Sequence, residues 1–319
     1  MRTFACLLAV VTAPAVFGAD EAPRSRSFLF TYSTTITDLP TDSAVRVWLP
    51  VPPSNDEQWA HVEKLPAGAK ITYDPVNDNH YLYLEAKPGT EGKLSLEIVF
   101  RVRRYELKSF TEKYDLGTER LKRFLEPDLL VPIDGKPLEL LKGKTLPEDP
   151  MAKARVLYDV VNGHMKYDTP KVKRGWGRGD AVWACESGFG NCSDFHSLFI
   201  SLARAQKIPA KFEIGFPLPE KRGKGEIPDY HCWAKFRPND KGWVGVDISE
   251  ANKNPKMKDY YFGNLTEDRV AFSKGRDLEL VPKQDGKPLN FFIYPYVEVD
   301  GKPHPEGKIE KKVTYEDQP

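Results

Sequence analysis

The chain has 319 residues, 40% hydrophobic and 12% aromatic, enough for a packed core and at a length where one core usually divides into two. Its 47 Lys and Arg against 46 Asp and Glu leave no net field that would draw it to nucleic acid, an anionic membrane or a polyacidic substrate. The 27 Pro and 23 Gly are scattered between apolar runs, which predicts many turns joining short strands and excludes a low-complexity chain.

Residues 1–19 read as an export signal: Arg2, an apolar run over 4–17 broken by Thr12 and Pro14, then Gly18 and Ala19 before Asp20. The run is shorter than the ~20 residues that span a bilayer. No stable membrane span is expected once it is removed, and the mature protein is expected in the periplasm or outside the cell. Removal takes Cys6 away and leaves Cys185, Cys192 and Cys232. Three is an odd number, and in an oxidising compartment an odd count points to one functional sulfur.

Within 20–104, apolar residues alternate with polar ones at Val45, Val47 and Leu49, at Tyr81 and Tyr83, and from Leu94 through Leu96, Ile98 and Phe100 to Val102. Period two predicts half-buried strands, and turn clusters at 50–55, 74–79 and 87–92 fit an antiparallel β-sandwich acting as an accessory domain. Residues 105–149 mix a charged stretch with Pro127, Pro132 and Asp134-Gly135, and read as a connector.

A second domain is expected over 150–319. Asp149-Pro150 is a helix cap followed by proline at the first helical position, and Ala154, Leu157, Tyr158, Val161 and Met165 follow with helical spacing. A second helix starts near Asn191, presents Phe195, Leu198, Phe199 and Leu202 on one face, and stops before Pro209. Strands follow at 212–216, 230–237 and 243–248, the last two joined by a turn at 239–242. The segments 262–280 and 291–299 read as further strands closing the same sheet, while Glu213, Asp229 and Asp259 read as solvated charges. Helices followed by antiparallel strands make the domain α+β.

Cys192 falls in the first turn of the second helix. There the peptide dipole and unpaired N–H groups favour the thiolate, the nucleophilic form, and the same N–H groups suit an oxyanion. Asn191 is placed to cap that helix, with Asp194 closing a capping box. His231 opens a strand, and Asp247 interrupts the apolar run Val244, Gly245, Val246, Ile248, where an unpaired carboxylate is costly. Asp247 therefore either takes His231 as its partner or ends the strand and caps the turn at Ser249.

Alternation supplies a check, since the two side chains share a face only if the hairpin pairs residues whose numbers sum to an even value. A four-residue loop at 239–242 gives an odd one. A triad of Cys192, His231 and Asp247 thus requires a three- or five-residue loop or a β-bulge.

The run Gly190, Asn191, Cys192, Ser193, Asp194, Phe195, His196, then Leu202, Ala203, Arg204, then Ile208, Pro209, Ala210, then His231, Cys232, Trp233, then 242–247 resembles bacterial exported transglutaminase-like proteins over roughly residues 150–296. The resemblance implies a papain-like core in which Cys192 attacks an acyl group, His231 relays the proton and Asp247 orients the imidazole. It also implies an upstream side chain near the oxyanion, for which Trp183 and Trp176 are candidates beside Asn191.

Cys185 and Cys232 are left either as a disulfide bracing the site or as two buried free thiols. A zinc site drawn from these cysteines and His231 is strained, and no organic cofactor or metal is implied. The function expected is cysteine-dependent acyl transfer on a protein or peptide substrate through a thioester, ending in hydrolysis. The alternatives are protein-glutamine cross-linking and a non-catalytic extracytoplasmic binding protein.

Overall fold

Strict alternation in Ser25–Ile36 buries Phe28, Phe30, Tyr32, Thr34 and Ile36 and leaves the residues between them half-exposed. In the computed structural model, which describes residues 22–108, 110, 111, 117–168 and 175–319, this strand pairs antiparallel with Leu94–Tyr105 on one side and Ile309–Asp317 on the other. The expected export signal at 1–19 lies outside the described residues. The front sheet runs Lys224–Glu226, Ile309–Asp317, Ser25–Ile36, Leu94–Tyr105, Gln58–Lys64. A back sheet runs Lys302–Pro303, Tyr296–Val299, Val45–Val51, Asn79–Ala86, Lys70–Asp74.

Two sequence expectations change here. Val45–Val51 is buried on both faces, because its Trp48 packs with Tyr81 and Tyr83 of the neighbouring strand under Leu278, Leu280 and Phe292. Tyr296–Val299, expected to close the later sheet, pairs instead with Val45–Val51. Alternation marks a strand but not its partner.

The central sheet runs Arg269–Lys274, Ala210–Pro217, His231–Asn239, Gly242–Val246, Phe110–Thr111, antiparallel throughout. Ala210, Phe212, Ile214, Cys232, Ala234, Phe236, Val244 and Val246 join the core of the helix Cys192–Ala205. Alternation sends Lys211, Glu213, Trp233 and Lys235 to the opposite face. That face is not solvent. Glu213 is 2% exposed, accepts from Trp233 Nε1 at 2.9 Å and pairs with Lys235 (3.2 Å) and Lys211 (3.3 Å), which corrects its reading as a solvated charge. Glu57 and Arg104, 3.0 Å apart and both from the sandwich, cover it, with Glu57 also paired to Lys235. Asp229 and Asp259 are exposed as expected.

The first helix forms as read, Pro150–His164, with Asp149 Oδ1 accepting from Ala152 N at 2.8 Å and Ala154, Leu157, Tyr158 and Val161 buried. The connector is more ordered than its composition suggests. Leu107–Lys108 pairs with Asn264–Leu265, Phe110–Thr111 extends the central sheet, and Asp128 holds Arg204 of the central helix at 2.6 Å. Among the described residues, no helix is long and apolar enough to cross a membrane.

Phe30 and Phe100 of the front sheet meet Phe272 of the central sheet at ring distances of 5.1 and 5.8 Å, so sandwich and central sheet share one core. Beside this joint the strands 210–217 and 269–274 shift register at Gly215, where a β-carbon would overlap the Val270 carbonyl. Gly215→Ala should therefore cost about 3 kcal/mol or more by forcing those strands apart. Thermal melting against Gly89→Ala, where the new methyl meets nothing within 4 Å, checks it; equal midpoints would refute it.

Candidate active site

The start of the helix Cys192–Ala205 is built as its sequence suggests. Asn191 caps it, accepting from Ser193 N at 2.9 Å, and Asp194 closes the capping box by accepting from Asn191 N at 3.0 Å. Asp194 also accepts from Gly177 N (2.8 Å) and Gly179 N (2.9 Å), tying down the segment before the helix; burial lifts its carboxyl to about 6 despite these bonds. The helix buries more than an apolar stripe, since Ser193, His196, Ser197 and Arg204 are enclosed as well. Ser197 meets Arg276, and Arg204 meets Asp128 and the Ala210 carbonyl. Polar groups fill that face because each has a partner within the protein.

The hairpin carrying the other two residues contains the irregularity that alternation demands. Ala234 pairs with Val246, Lys235 with Gly245 and Phe236 with Val244, an even register, whereas Asn239 pairs with Gly242, an odd one; the shift falls between Phe236 and Asn239. His231 and Asp247 consequently face each other, with Nε2 2.7 Å from Oδ2. A carboxylate only accepts, so Nε2 carries the hydrogen and Nδ1 is left for Cys192, to which the ring is hydrogen-bonded. The strand ends at Val246, two residues earlier than expected, and Ile248–Lys253 is a short helix. Asp247 serves both of the roles weighed for it. Oδ2 takes His231, while Oδ1 caps that helix by accepting from Glu250 N (3.1 Å) and Ser249 Oγ (3.0 Å).

Cys192, His231 and Asp247 are 3%, 6% and 0% exposed. Burial opposes the Cys192 thiolate, yet hydrogen bonds from Cys232 and His231 bring the thiol down to about 5. Burial likewise opposes the His231 imidazolium, but the Asp247 carboxylate and the thiolate carry it up to about 10. Asp247 lies well below the usual carboxylate range: His231 and Arg269 outweigh its burial. Between those limits the site holds a thiolate–imidazolium pair, the form able to attack a carbonyl carbon and then protonate a leaving amine.

Several neighbours carried no signal of their role in the sequence. Arg269 Nη1 sits 2.9 Å from Asp247 Oδ2. His196 Nδ1 donates to the Cys192 carbonyl (2.7 Å) and its Nε2 accepts from Ile248 N (3.0 Å), which fixes a neutral ring and links the nucleophile's turn to the cap of Asp247. Burial holds its pKa near 4. Tyr230 Oη meets Asn191 Nδ2 and Ser193 Oγ, both at 3.1 Å, tying the histidine strand to the helix start.

Of the two alternatives weighed for Cys185 and Cys232, the structure has both as buried free thiols. Cys185 Sγ donates to the Lys136 carbonyl at 3.5 Å, whereas Cys232 Sγ lies 3.7 Å from Ser193 Oγ and is hydrogen-bonded to Cys192, so the two thiols face different neighbours. Trp176 Nε1 donates to the Asp168 carbonyl at 2.8 Å. Trp183 packs edge-on against Phe189 at 5.4 Å, with Gly175 directly over its ring, where a β-carbon would come within 2.6 Å. Among the described residues one group, His231, Asp247 and Glu250, brings metal-ligating atoms within 4.8 Å of one another. The His231 and Asp247 atoms of that group are already bonded to each other, and Glu250 is paired with Lys253.

Labelling by iodoacetamide at pH 6 should be stoichiometric at Cys192. Asp247→Asn should slow it, because loss of the carboxylate lowers the His231 pKa and so raises that of the thiol. An unchanged pH profile of the labelling rate in Asp247→Asn would count against this electrostatic account.

Residues 140–248 match the family model of the transglutaminase-like superfamily core. An uncharacterised protein of Haemophilus influenzae is 33% identical over 187 residues, 49% of this chain and 50% of that protein, so the alignment spans about half of the relative's length. A solved candidate cysteine protease from Cytophaga hutchinsonii superposes with a TM-score of 0.55 at 14% identity, covering 93% of this chain and all of that one. The likeness shows a shared fold. The periplasmic domain of TgpA from Pseudomonas aeruginosa gives a TM-score of 0.39 at 16% identity, over 73% of this chain and 90% of that one. With the α+β architecture and the family match over 140–248, this chain contains a transglutaminase-like core domain.

Proposed function

We propose that the protein is a cysteine-dependent acyl-transfer enzyme that hydrolyses amide or peptide bonds in a protein or peptide substrate. The observation that carries this reading is the imidazole of His231, bonded through Nε2 to Asp247 at 2.7 Å and through its other side to Cys192 at a helix start. The Cys192 thiolate attacks the carbonyl carbon, and the oxyanion forms beside the Cys192 N–H, which as the first helical position has no carbonyl within the helix. Asn191 supports that corner by holding the cap, and Trp183 stands on the adjacent helix Ala181–Ser187 as the upstream side chain of the family resemblance.

His231 passes its Nδ1 proton to the leaving amine, which departs and leaves a thioester on Cys192. Water then attacks the thioester carbon while His231 takes its proton, releasing the acid and restoring the ion pair. The apolar run over 4–17 supports action outside the cytoplasm.

A peptide library incubated with wild type and with Cys192→Ala, read by mass spectrometry, tests the reading. Wild type should add one water per cleaved bond, and Cys192→Ala should add none. Amine adducts on glutamine in place of water would move the function to cross-linking. A fully labelled Cys192 with no product across the library would favour a binding protein.

A further inference from the structure

Asp247 makes more contacts than orienting His231 requires, and one of them leads out of the domain. Its Oδ2 is shared between His231 Nε2 at 2.7 Å and Arg269 Nη1 at 2.9 Å. Arg269 is 3% exposed, and its guanidinium lies 4.9 Å above the Trp233 ring. Trp233 is in turn fixed by Nε1 on Glu213, whose carboxylate sits between Lys235 and Lys211. Arg269 opens the strand Arg269–Lys274, and the second residue after it is gripped from the sandwich. Gln58, with no exposed surface, donates from Nε2 to the Ala271 carbonyl (3.0 Å) and accepts at Oε1 from Ala271 N (2.9 Å), as a neighbouring strand would. Gln58 Nε2 also donates to the Pro53 carbonyl at 2.8 Å, and Arg104 Nη1 reaches its Oε1 at 3.3 Å.

We propose that Arg269 is a positioning residue that holds the Asp247 carboxylate on His231, and that the sandwich sets its place through the Gln58 grip on Ala271. The proposal rests on the triad reading above and deepens it, giving the sandwich a part in the reaction through the geometry of the site. The Arg269 Nη1 donor, its guanidinium stacked on Trp233, holds one oxygen while the helix cap holds the other, which leaves the carboxylate little rotation. The imidazole then has one orientation, with Nδ1 toward the thiol.

Removing the charge has a sign that a purely structural role does not. Several groups face this pair. Cys192 and His196 come from the central helix, His231 from its strand, Glu250 from the cap helix with Oε1 3.9 Å from His231 Nε2, Tyr158 from the helix Pro150–His164, and Tyr261 and Arg104 from the flanks. Of these, His196, Tyr261 and Arg104 also feel the Arg269 charge. Loss of Arg269 removes a cation that competes with His231 for Asp247 and repels its imidazolium. The imidazolium therefore keeps its proton to higher pH even as the carboxylate gains freedom to swing away.

The test combines alkylation and turnover in Arg269→Gln and Arg269→Lys. In Arg269→Gln, the upper inflection of the iodoacetamide rate, where His231 loses its proton, should move up by about one pH unit. Turnover of a cleaved peptide should fall about 10- to 100-fold with KM little changed. Arg269→Lys keeps the charge and should leave the inflection in place while turnover still falls, since a point charge lacks the planar group that stacks on Trp233. Gln58→Met, normalised to folded protein, should lower turnover without moving the inflection. An inflection and turnover in Arg269→Gln equal to wild type would overturn the positioning role, and wild-type turnover in folded Gln58→Met would overturn the part given to the sandwich. A wild type unreactive at pH 6 would instead overturn the triad reading itself.

Discussion

A carboxylate with no exposed surface stays ionised only if cations and donors replace the water it lost, and Asp247 is such a group. Its two oxygens take His231, Arg269, the Ser249 hydroxyl and the Glu250 amide, and these come from three separate stretches of chain. Remove the ionised form and the histidine strand, the edge strand and the cap helix lose their common anchor. The hairpin bulge, the short helix after Val246 and the enclosed Arg269 all make sense as parts needed to bring four partners to one buried charge. The thiolate of Cys192 sits at the far end of that arrangement, stabilised by an imidazolium that exists because Asp247 is ionised.

The same logic extends across the other face of the central sheet. Arg104, Glu57, Lys235, Glu213 and Lys211 form, in that order, a buried chain of alternating charge between sandwich and sheet. Such networks add little stability over well-packed apolar residues, but they penalise any misfit, because a shifted partner leaves a buried charge alone. They therefore hold the sandwich in one place relative to the central sheet. The ring contacts of Phe30 and Phe100 with Phe272 supply the adhesion and the charges supply the registration.

What was legible in the sequence followed from local rules. Asp149-Pro150 with its periodic apolar residues marked a helix, Asn191 to Asp194 marked a helix start, and Asp247 announced itself as a charge inside an apolar strand. Even the bulge was deducible, because side-chain parity admits few ways for His231 and Asp247 to meet. Arg269 follows two other charges, Glu267 and Asp268, and nothing local says that it serves a buried acid. Glu213 reads as solvated until the sandwich is placed over it. The partner of Tyr296–Val299 was likewise hidden, since strand pairing across some 250 residues is a property of the whole fold. Cysteine arithmetic leaves Cys232 as either a disulfide partner or a buried free thiol, whereas geometry places its thiol against the nucleophile.

The pairing of Ser25–Ile36 with Ile309–Asp317 joins residues as far apart as Phe28 and Asp317. Loop closure over such a span is slow, and a strand this early in the chain emerges from synthesis long before its neighbour does. Until residues 309–317 arrive, the front sheet presents an unpaired edge at Ser25–Ile36 and lacks two of its five strands, since Lys224–Glu226 joins it only through Ile309–Asp317. The part of the fold that grips Ala271 through Gln58 is therefore completed late. The strand that carries Arg269 is thus braced from the sandwich only once residues 309–317 have joined the front sheet.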